Sequence, residues 1–113
     1  MVVDDNHDAA EVLSEALELL GYETRVAYDA LATLDTVAQF KPQVMLIDIG
    51  MPVMDGYELA RRLRAMKELG HPKLIALTGF GQESDRALAL EAGFDEHMVK
   101  PIDLEGLESL LKK

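Results

Sequence analysis

Three carboxylates, one hydroxyl and one ammonium group stand out because they lie where β-rich runs of the chain end. Asp4 and Asp5 follow the first run, Asp48 ends the third, Thr78 ends the fourth and Lys100 ends the fifth. Carboxylates brought together repel one another, and some stay protonated unless a cation is present. A hard divalent ion such as Mg2+ accepts oxygen ligands and shares its sites with phosphate. The residue types therefore favour phosphoryl transfer to Asp48, with the hydroxyl and the ammonium contacting phosphoryl oxygens.

The elements that must position these residues alternate along the chain as strand and helix. Runs rich in β-forming residues predict five strands, at 1–3, 23–27, 44–48, 73–78 and 96–100. Apolar residues at helical spacing predict helices at 7–20, 30–40, 57–69, 85–92 and 104–111. Asp29, Ser84 and Asp103 are the predicted N-caps of the second, fourth and fifth helices.

Five strand–helix units predict an α/β fold, with a parallel sheet covered by helices on both faces. Right-handed crossovers and the commonest five-stranded order, 2-1-3-4-5, indicate a flavodoxin-like three-layer sandwich. Ligands of such sheets bind beyond the carboxyl ends of the strands, so residues distant in sequence should meet there. A length of 113 residues predicts a single domain over residues 1–113.

Composition narrows the choice of partners and location. The formal net charge of −10 opposes binding to nucleic acid or to anionic lipid, so we expect neither contact from this domain. The absence of cysteine excludes disulfides and zinc–thiolate sites. Apolar runs are too short to cross a bilayer and no leader peptide is recognised, so a cytoplasmic location is expected.

Four motifs occur in order at the predicted strand ends. They are Val-Val-Asp-Asp-Asn at 2–6, Ile-Asp-Ile-Gly-Met-Pro-Val-Met-Asp-Gly at 47–56, Ala-Leu-Thr-Gly at 76–79 and Val-Lys-Pro at 99–101. Together they resemble the receiver domain of two-component response regulators over the whole chain. The segment at 76–86 is similar to receivers of hybrid sensor kinases, so we expect a module excised from a larger protein. The resemblance implies Mg2+-dependent phosphoryl transfer to Asp48 from the phosphohistidine of a sensor kinase or a histidine phosphotransfer domain.

The resemblance also assigns roles around the metal and the acceptor. Asp48 corresponds to the phosphoacceptor, and Asp5 to a direct Mg2+ ligand. Asp4 corresponds to the acidic neighbour that binds the ion through water. The backbone carbonyl of Gly50, two residues past the acceptor, corresponds to a further ligand.

A second group of residues corresponds to the family's switch. Thr78 matches the switch hydroxyl and Lys100 the phosphoryl-binding lysine, with a cis peptide expected before Pro101. His97 stands where the family usually has Tyr or Phe, so it is either an ordinary half-exposed strand residue or part of a muted switch, which we favour. The resemblance implies that the output is a changed surface of helix four, strand five and helix five, and a weak homodimer through that surface stays open.

Rival functions lack residues that their chemistry needs. An aspartate-nucleophile phosphatase of the haloacid-dehalogenase type requires a second aspartate two residues after the nucleophile, where this chain has Gly50. A flavodoxin-like FMN binder needs a phosphate-cradling loop where Asp4 and Asp5 stand, and no nucleotide P-loop is present. A receiver-like binding module without phosphorylation usually loses an acidic or lysine position, and all are kept here. Whether self-phosphorylation makes the domain an enzyme stays open.

Overall fold

The computed structural model describes residues 1–79 and 83–112, with side chains throughout these ranges except at 83–85. The strands in these ranges are β1 (Val2–Val3), β2 (Val26–Ala27), β3 (Val44–Asp48), β4 (Lys73–Thr78) and β5 (Glu96–Val99). The α-helices are α1 (His7–Leu19), α2 (Ala30–Phe40), α3 (Gly56–Ala65), α4 (Glu83–Ala92) and α5 (Leu104–Leu111). A short 3-10 helix, Lys67–Leu69, follows α3.

The five strands form one parallel sheet in the order β2-β1-β3-β4-β5, which confirms the predicted topology. In this register Asp48 pairs with Leu77 and Thr78 pairs with Val99. Because the strands are parallel, their carboxyl ends reach the same edge of the sheet. The end of β3, the end of β4 and the residues after β1 and β5 are thus neighbours.

Helices cover both faces of the sheet, since alternate residues of a strand point to opposite sides. On one face, Ile47 and Ala76 belong to a buried cluster that includes residues of α2, α3 and α4. On the other face, Leu46 and Leu77 pack with residues of α1 and α5. Both layers of helices are needed to bury β3 and β4, and the three-layer sandwich is confirmed.

Helix starts are set by side-chain caps. Asp29 accepts a hydrogen bond from Ala32 N at 2.7 Å, and Asp103 accepts from the amides of Glu105 and Gly106, so these two predicted N-caps are confirmed. Asn6 and Asp55 cap α1 and α3 in the same way. The prediction that Ser84 precedes the fourth helix is wrong, because α4 already includes Glu83.

Several predicted elements are longer than the observed ones. β2 spans only Val26–Ala27 because it lies at the sheet edge and pairs only with the two residues of β1. The predicted continuous helix over 57–69 is wrong. It starts one residue earlier, at Gly56, and is interrupted at Met66, whose backbone is extended (ψ 91°). The half-buried Met66 packs against the core, and a 3-10 turn then leads towards β4.

Candidate functional site

Asp4, Asp5 and Asp48 meet at the carboxyl edge of the sheet. One carboxylate oxygen from each lies within 4.8 Å of the others. Asp4 and Asp48 are 3% and 9% exposed, whereas Asp5 faces solvent. β1 and β3 are adjacent strands, so the residues that follow β1 lie beside the end of β3. The structure therefore brings together the three carboxylates that the sequence singled out.

Lys100 directly follows the carboxyl end of β5 and supplies a positive charge to this cluster. Its Nζ donates a hydrogen bond to Asp4 Oδ2 at 3.0 Å and lies 3.6 Å from Asp48 Oδ1. The Lys100 amide donates to the Thr78 carbonyl at 2.7 Å, which ties it to the end of β4. The peptide bond between Lys100 and Pro101 is cis. The lysine thus bridges two of the carboxylates across the intervening strand.

Two backbone amides donate to the buried carboxylates, and neither contact was predicted from the sequence. Asn6 N donates to Asp4 Oδ1 at 3.0 Å, and Gly50 N donates to Asp48 Oδ1 at 3.1 Å. In each case an aspartate accepts from the residue two positions later, the local pattern by which Asp stabilises turns. That pattern was a usable signal in the sequence. These bonds orient the carboxylates before any ligand arrives.

Burial and charge shift the ionisation of Asp48 and Lys100. Burial raises the pKa of Asp48 and the negative charge of Asp4 adds to the rise, while the Gly50 amide and Lys100 oppose it. Burial alone would lower the pKa of Lys100, but its hydrogen bond to Asp4 and the charge of Asp48 prevail and raise it. The site therefore sets one firmly cationic ammonium against three carboxylates. Such an oxygen-rich donor set fits a hard divalent cation.

The remaining predicted residues lie on β4, on β5 and in the chain that follows Asp48. Thr78 is 2% exposed at the end of β4, the strand that pairs with β3. Gly50 follows Asp48 by two residues, and a Cβ there would make an ordinary van der Waals contact with Asp48 Oδ1, at 3.7 Å. His97 pairs with Ala76, two positions before Thr78 on β4. Within the described part of the chain, His97 Nε2 is buried without a hydrogen-bond partner.

Comparison with known proteins gives the family of this arrangement. Residues 1–112 match the family described as the response regulator receiver domain. The chain belongs to this family. It is a receiver domain of two-component signalling, and the α/β sandwich with its acidic edge is the receiver fold.

Relatives and solved structures resemble this receiver domain over nearly all of its length. The response regulator MprA of Mycobacterium avium is 35% identical over 107 residues, which cover 95% of this chain but 46% of MprA. The chain thus spans about half the length of that regulator.

Two similar structures are receivers of kinases. The receiver of a signal transduction histidine kinase from Syntrophus aciditrophicus has a TM-score of 0.87 and 32% identity, covering 98% of this chain and 84% of that one. The receiver of the sensor histidine kinase PA1611 from Pseudomonas aeruginosa has a TM-score of 0.88 and 29% identity, covering 98% and 91%. The PA1611 structure has a magnesium ion coordinated in its active-site cleft.

One further finding concerns the helices. Within residues 1–79 and 83–112, none of them is both long and apolar enough to span a membrane.

Proposed function

We propose that this receiver domain accepts a phosphoryl group on Asp48, in a reaction that depends on Mg2+. The donor is the phosphohistidine of a sensor kinase or of a histidine phosphotransfer domain. The observation that carries the proposal is the meeting of Asp48 with two further aspartates within 4.8 Å and with Lys100 Nζ at 3.6 Å. A buried carboxylate next to a cation site and a fixed ammonium is suited to nucleophilic attack on phosphorus.

Asp5, Asp48 and the Gly50 carbonyl would hold the metal directly, with Asp4 behind a water molecule. This division is supported by the contacts of the buried Asp4, whose two oxygens already accept from Asn6 N and Lys100 Nζ. Asp5 is exposed and its carboxylate is available at the rim. When bound, Mg2+ supplies positive charge that offsets the repulsion between the carboxylates and the phosphoryl oxygens.

In the transfer itself, an oxygen of the Asp48 carboxylate forms the new bond to phosphorus. The phosphorus–nitrogen bond to the donor imidazole breaks, and the imidazole leaves with the electron pair. Burial first and then the charge of Asp4 raise the pKa of Asp48, so positive charge added at the site would favour its ionised, nucleophilic form. Lys100 Nζ would bind one phosphoryl oxygen and the Thr78 hydroxyl another, which stabilises the charge that spreads over these oxygens.

The signal would leave the site through Thr78 and β5. Movement of the Thr78 hydroxyl towards the phosphoryl group would shift the populations of the α4, β5 and α5 surface. His97 would make this switch a muted one, because an imidazole replaces the larger aromatic ring common in the family. This surface would bind either an output element of the parent protein or a second copy of the domain.

We place the domain in the cytoplasm, as a single module within a longer signalling protein. The similarity of the chain to receivers of two histidine kinases supports a hybrid kinase as that parent. Its match to less than half of MprA supports a response regulator equally. In either case the catalysis proposed here is confined to phosphorylation and dephosphorylation of Asp48.

The test is intact mass after incubation with Mg2+ and a small phosphoryl donor such as acetyl phosphate. The unchanged protein should gain the mass of one phosphoryl group, and chelation of Mg2+ should prevent the gain. Asp48→Asn should gain nothing. Asp55→Asn is the matched control, because Asp55 is an exposed carboxylate whose capping role Asn can take over. Phosphorylation of Asp48→Asn to the level of the unchanged protein would refute the proposal.

A further inference from the structure

Gly56 closes the loop that follows Asp48 and begins α3. Its amide donates a hydrogen bond to the Ile49 carbonyl at 3.2 Å, so the first residue of the helix touches the residue after the acceptor. Gly56 is buried. Its φ is not positive, unlike that of Gly21, Gly70 and Gly93. The requirement for glycine at this position is therefore one of space rather than of backbone conformation.

A side chain at Gly56 would collide with backbone next to the acceptor. A Cβ atom there would lie 2.6 Å from Ile49 Cα and 2.9 Å from the carbonyl oxygen of Asp48. Real Cβ atoms essentially never approach other atoms this closely, and no side-chain rotation can move a backbone atom away. Substitution by alanine must therefore displace either α3 or the chain at 48–50.

The surrounding contacts decide which part gives way. α3 is anchored by Leu59, Ala60 and Leu63, which are 0%, 0% and 1% exposed in the core. The end of β3 is tied to β4, because Ile49 N donates to the Leu77 carbonyl at 3.1 Å. The loop between β3 and α3 is anchored less firmly, because Val53 is fully exposed and adopts a φ of 68°, which is strained for a β-branched residue. This loop is therefore the part that a side chain at Gly56 would displace.

From these contacts we propose that Gly56 is a positioning residue for the aspartate and metal site, an inference that rests on the function proposed above. By bringing α3 into van der Waals contact with Asp48 and Ile49, it sets the path of the loop that carries Gly50. That path places the Gly50 amide on Asp48 Oδ1 and turns the Gly50 carbonyl to where a metal ligand is needed. Gly56 itself touches neither the metal nor the phosphoryl group.

The test compares Gly56→Ala with Gly106→Ala. Gly106 lies in α5, and its added methyl group would meet only side-chain atoms, the nearest at 3.4 Å, which makes it a matched control. Amide NMR spectra of the metal-free proteins report the position of Gly50, and calorimetric titration gives the dissociation constant for Mg2+. Rates of phosphorylation by acetyl phosphate, measured against Mg2+ concentration, separate apparent metal affinity from the maximal rate.

Gly56→Ala should fold, shift the Gly50 amide resonance and bind Mg2+ about tenfold more weakly, the loss typical when support of a metal ligand is removed. Its maximal phosphorylation rate at saturating Mg2+ should fall less than its affinity. Gly106→Ala should match the unchanged protein in all three measurements.

Three outcomes separate the possible failures. An unmoved Gly50 amide with an Mg2+ affinity within about twofold of the unchanged protein would overturn the positioning role. If Gly56→Ala does not fold in buffer, all three proteins are measured in trimethylamine oxide, which favours compact states. Failure to fold even there would assign Gly56 to the fold and not to the site. If the unchanged protein binds no Mg2+, the proposed function itself fails.

Discussion

At the scale of single residues, the acidic edge is a place where the fold tolerates an unfavourable charge arrangement. Asp48 is 9% exposed and faces Asp4, and Lys100 neutralises only part of their combined charge. Like charges held together in a partly dry site cost folding free energy. Functional sites commonly carry such a cost, because binding of the ligand relieves it.

Removal of the Asp48 charge should therefore stabilise the metal-free domain. The raised pKa of Asp48, caused first by burial and then by Asp4, means that the folded state holds its proton more tightly than the unfolded state. This contribution to stability is complete below the ordinary value of 3.8 and is lost as the pH rises through the folded-state pKa. Asp48→Asn does not titrate, so its advantage should grow as the pH rises from 3.8 through the folded-state pKa of Asp48.

Thermal melts in chelator at several pH values measure this effect. At pH 7 we expect the melting temperature of Asp48→Asn to exceed that of the unchanged protein by about 4 °C or more, which corresponds to about 1 kcal/mol in a domain of this size. Asp55→Asn, outside the cluster, should show no such gain. A less stable Asp48→Asn, or an advantage that shrinks towards neutral pH, would contradict the electrostatic account.

At the scale of elements, α3 is held at both ends by polar contacts. At its start, Gly56 meets the chain after Asp48. At its end, Arg64 donates to the Gly93 carbonyl at 2.9 Å, the Pro72 carbonyl at 2.7 Å and Asp95 Oδ2 at 2.8 Å. The arginine thereby ties α3 to the entry of β4 and to the turn between α4 and β5. A planar guanidinium can reach these acceptors together, whereas an ammonium cannot.

Arg64→Lys should destabilise the domain although the charge is kept. Its side chain is 18% exposed, so the carbonyls left without donors are costly, and we expect a loss of about 1–3 kcal/mol in the free energy of unfolding. Arg62→Lys is the control. The Arg62 side chain is 54% exposed, and its ion pair with Glu58 should contribute less than about 1 kcal/mol to the free energy of unfolding. Urea denaturation measures the free energy of unfolding of both variants. Equal losses would show that the planar geometry of the Arg64 guanidinium is unimportant.

At the scale of the whole molecule, charge is strongly unbalanced. There are 21 acidic and 11 basic residues, which gives the net charge of −10. Self-repulsion of this kind weakens a compact state and is screened by any salt. The aspartate cluster adds a local repulsion between carboxylates, which Lys100 offsets in part and which a coordinated cation would relieve further. Screening and specific binding are therefore separable by experiment.

Melts in KCl and in MgCl2 at matched ionic strength should separate them. KCl should raise the melting temperature of the unchanged protein and of Asp48→Asn alike, by a few degrees, because screening acts on the whole surface. MgCl2 should add a further rise in the unchanged protein that follows the mass-action form expected of a bound ligand. The same further rise in Asp48→Asn would show that Mg2+ acts without the proposed site.

Much of the fold could be predicted because local and global signals agree. Continuous apolar runs such as Val44 to Ile47 identify strands buried on both faces, and Asp29 and Asp103 identify helix starts. Strand–helix alternation then leaves few topologies, and the observed order was the commonest one. The predicted bounds were wrong where a neighbouring element sets the length of a strand or helix. The length of β2 is limited by β1, with which it pairs. At Met66, packing against the core interrupts a helix that periodicity alone would continue.

For the site, residue types and strand ends determined which groups could meet, because parallel strands bring their carboxyl ends to one edge whatever the sequence distance. Only the tertiary structure decided how they meet: Lys100 is hydrogen-bonded to Asp4 and paired with Asp48, backbone amides donate to Asp4 and Asp48, and Gly56 lies against the acceptor's own carbonyl. A sequence states which chemical groups are present and in what order. Distances of a few ångströms depend on how helices pack against the sheet, and that packing is a property of the whole core.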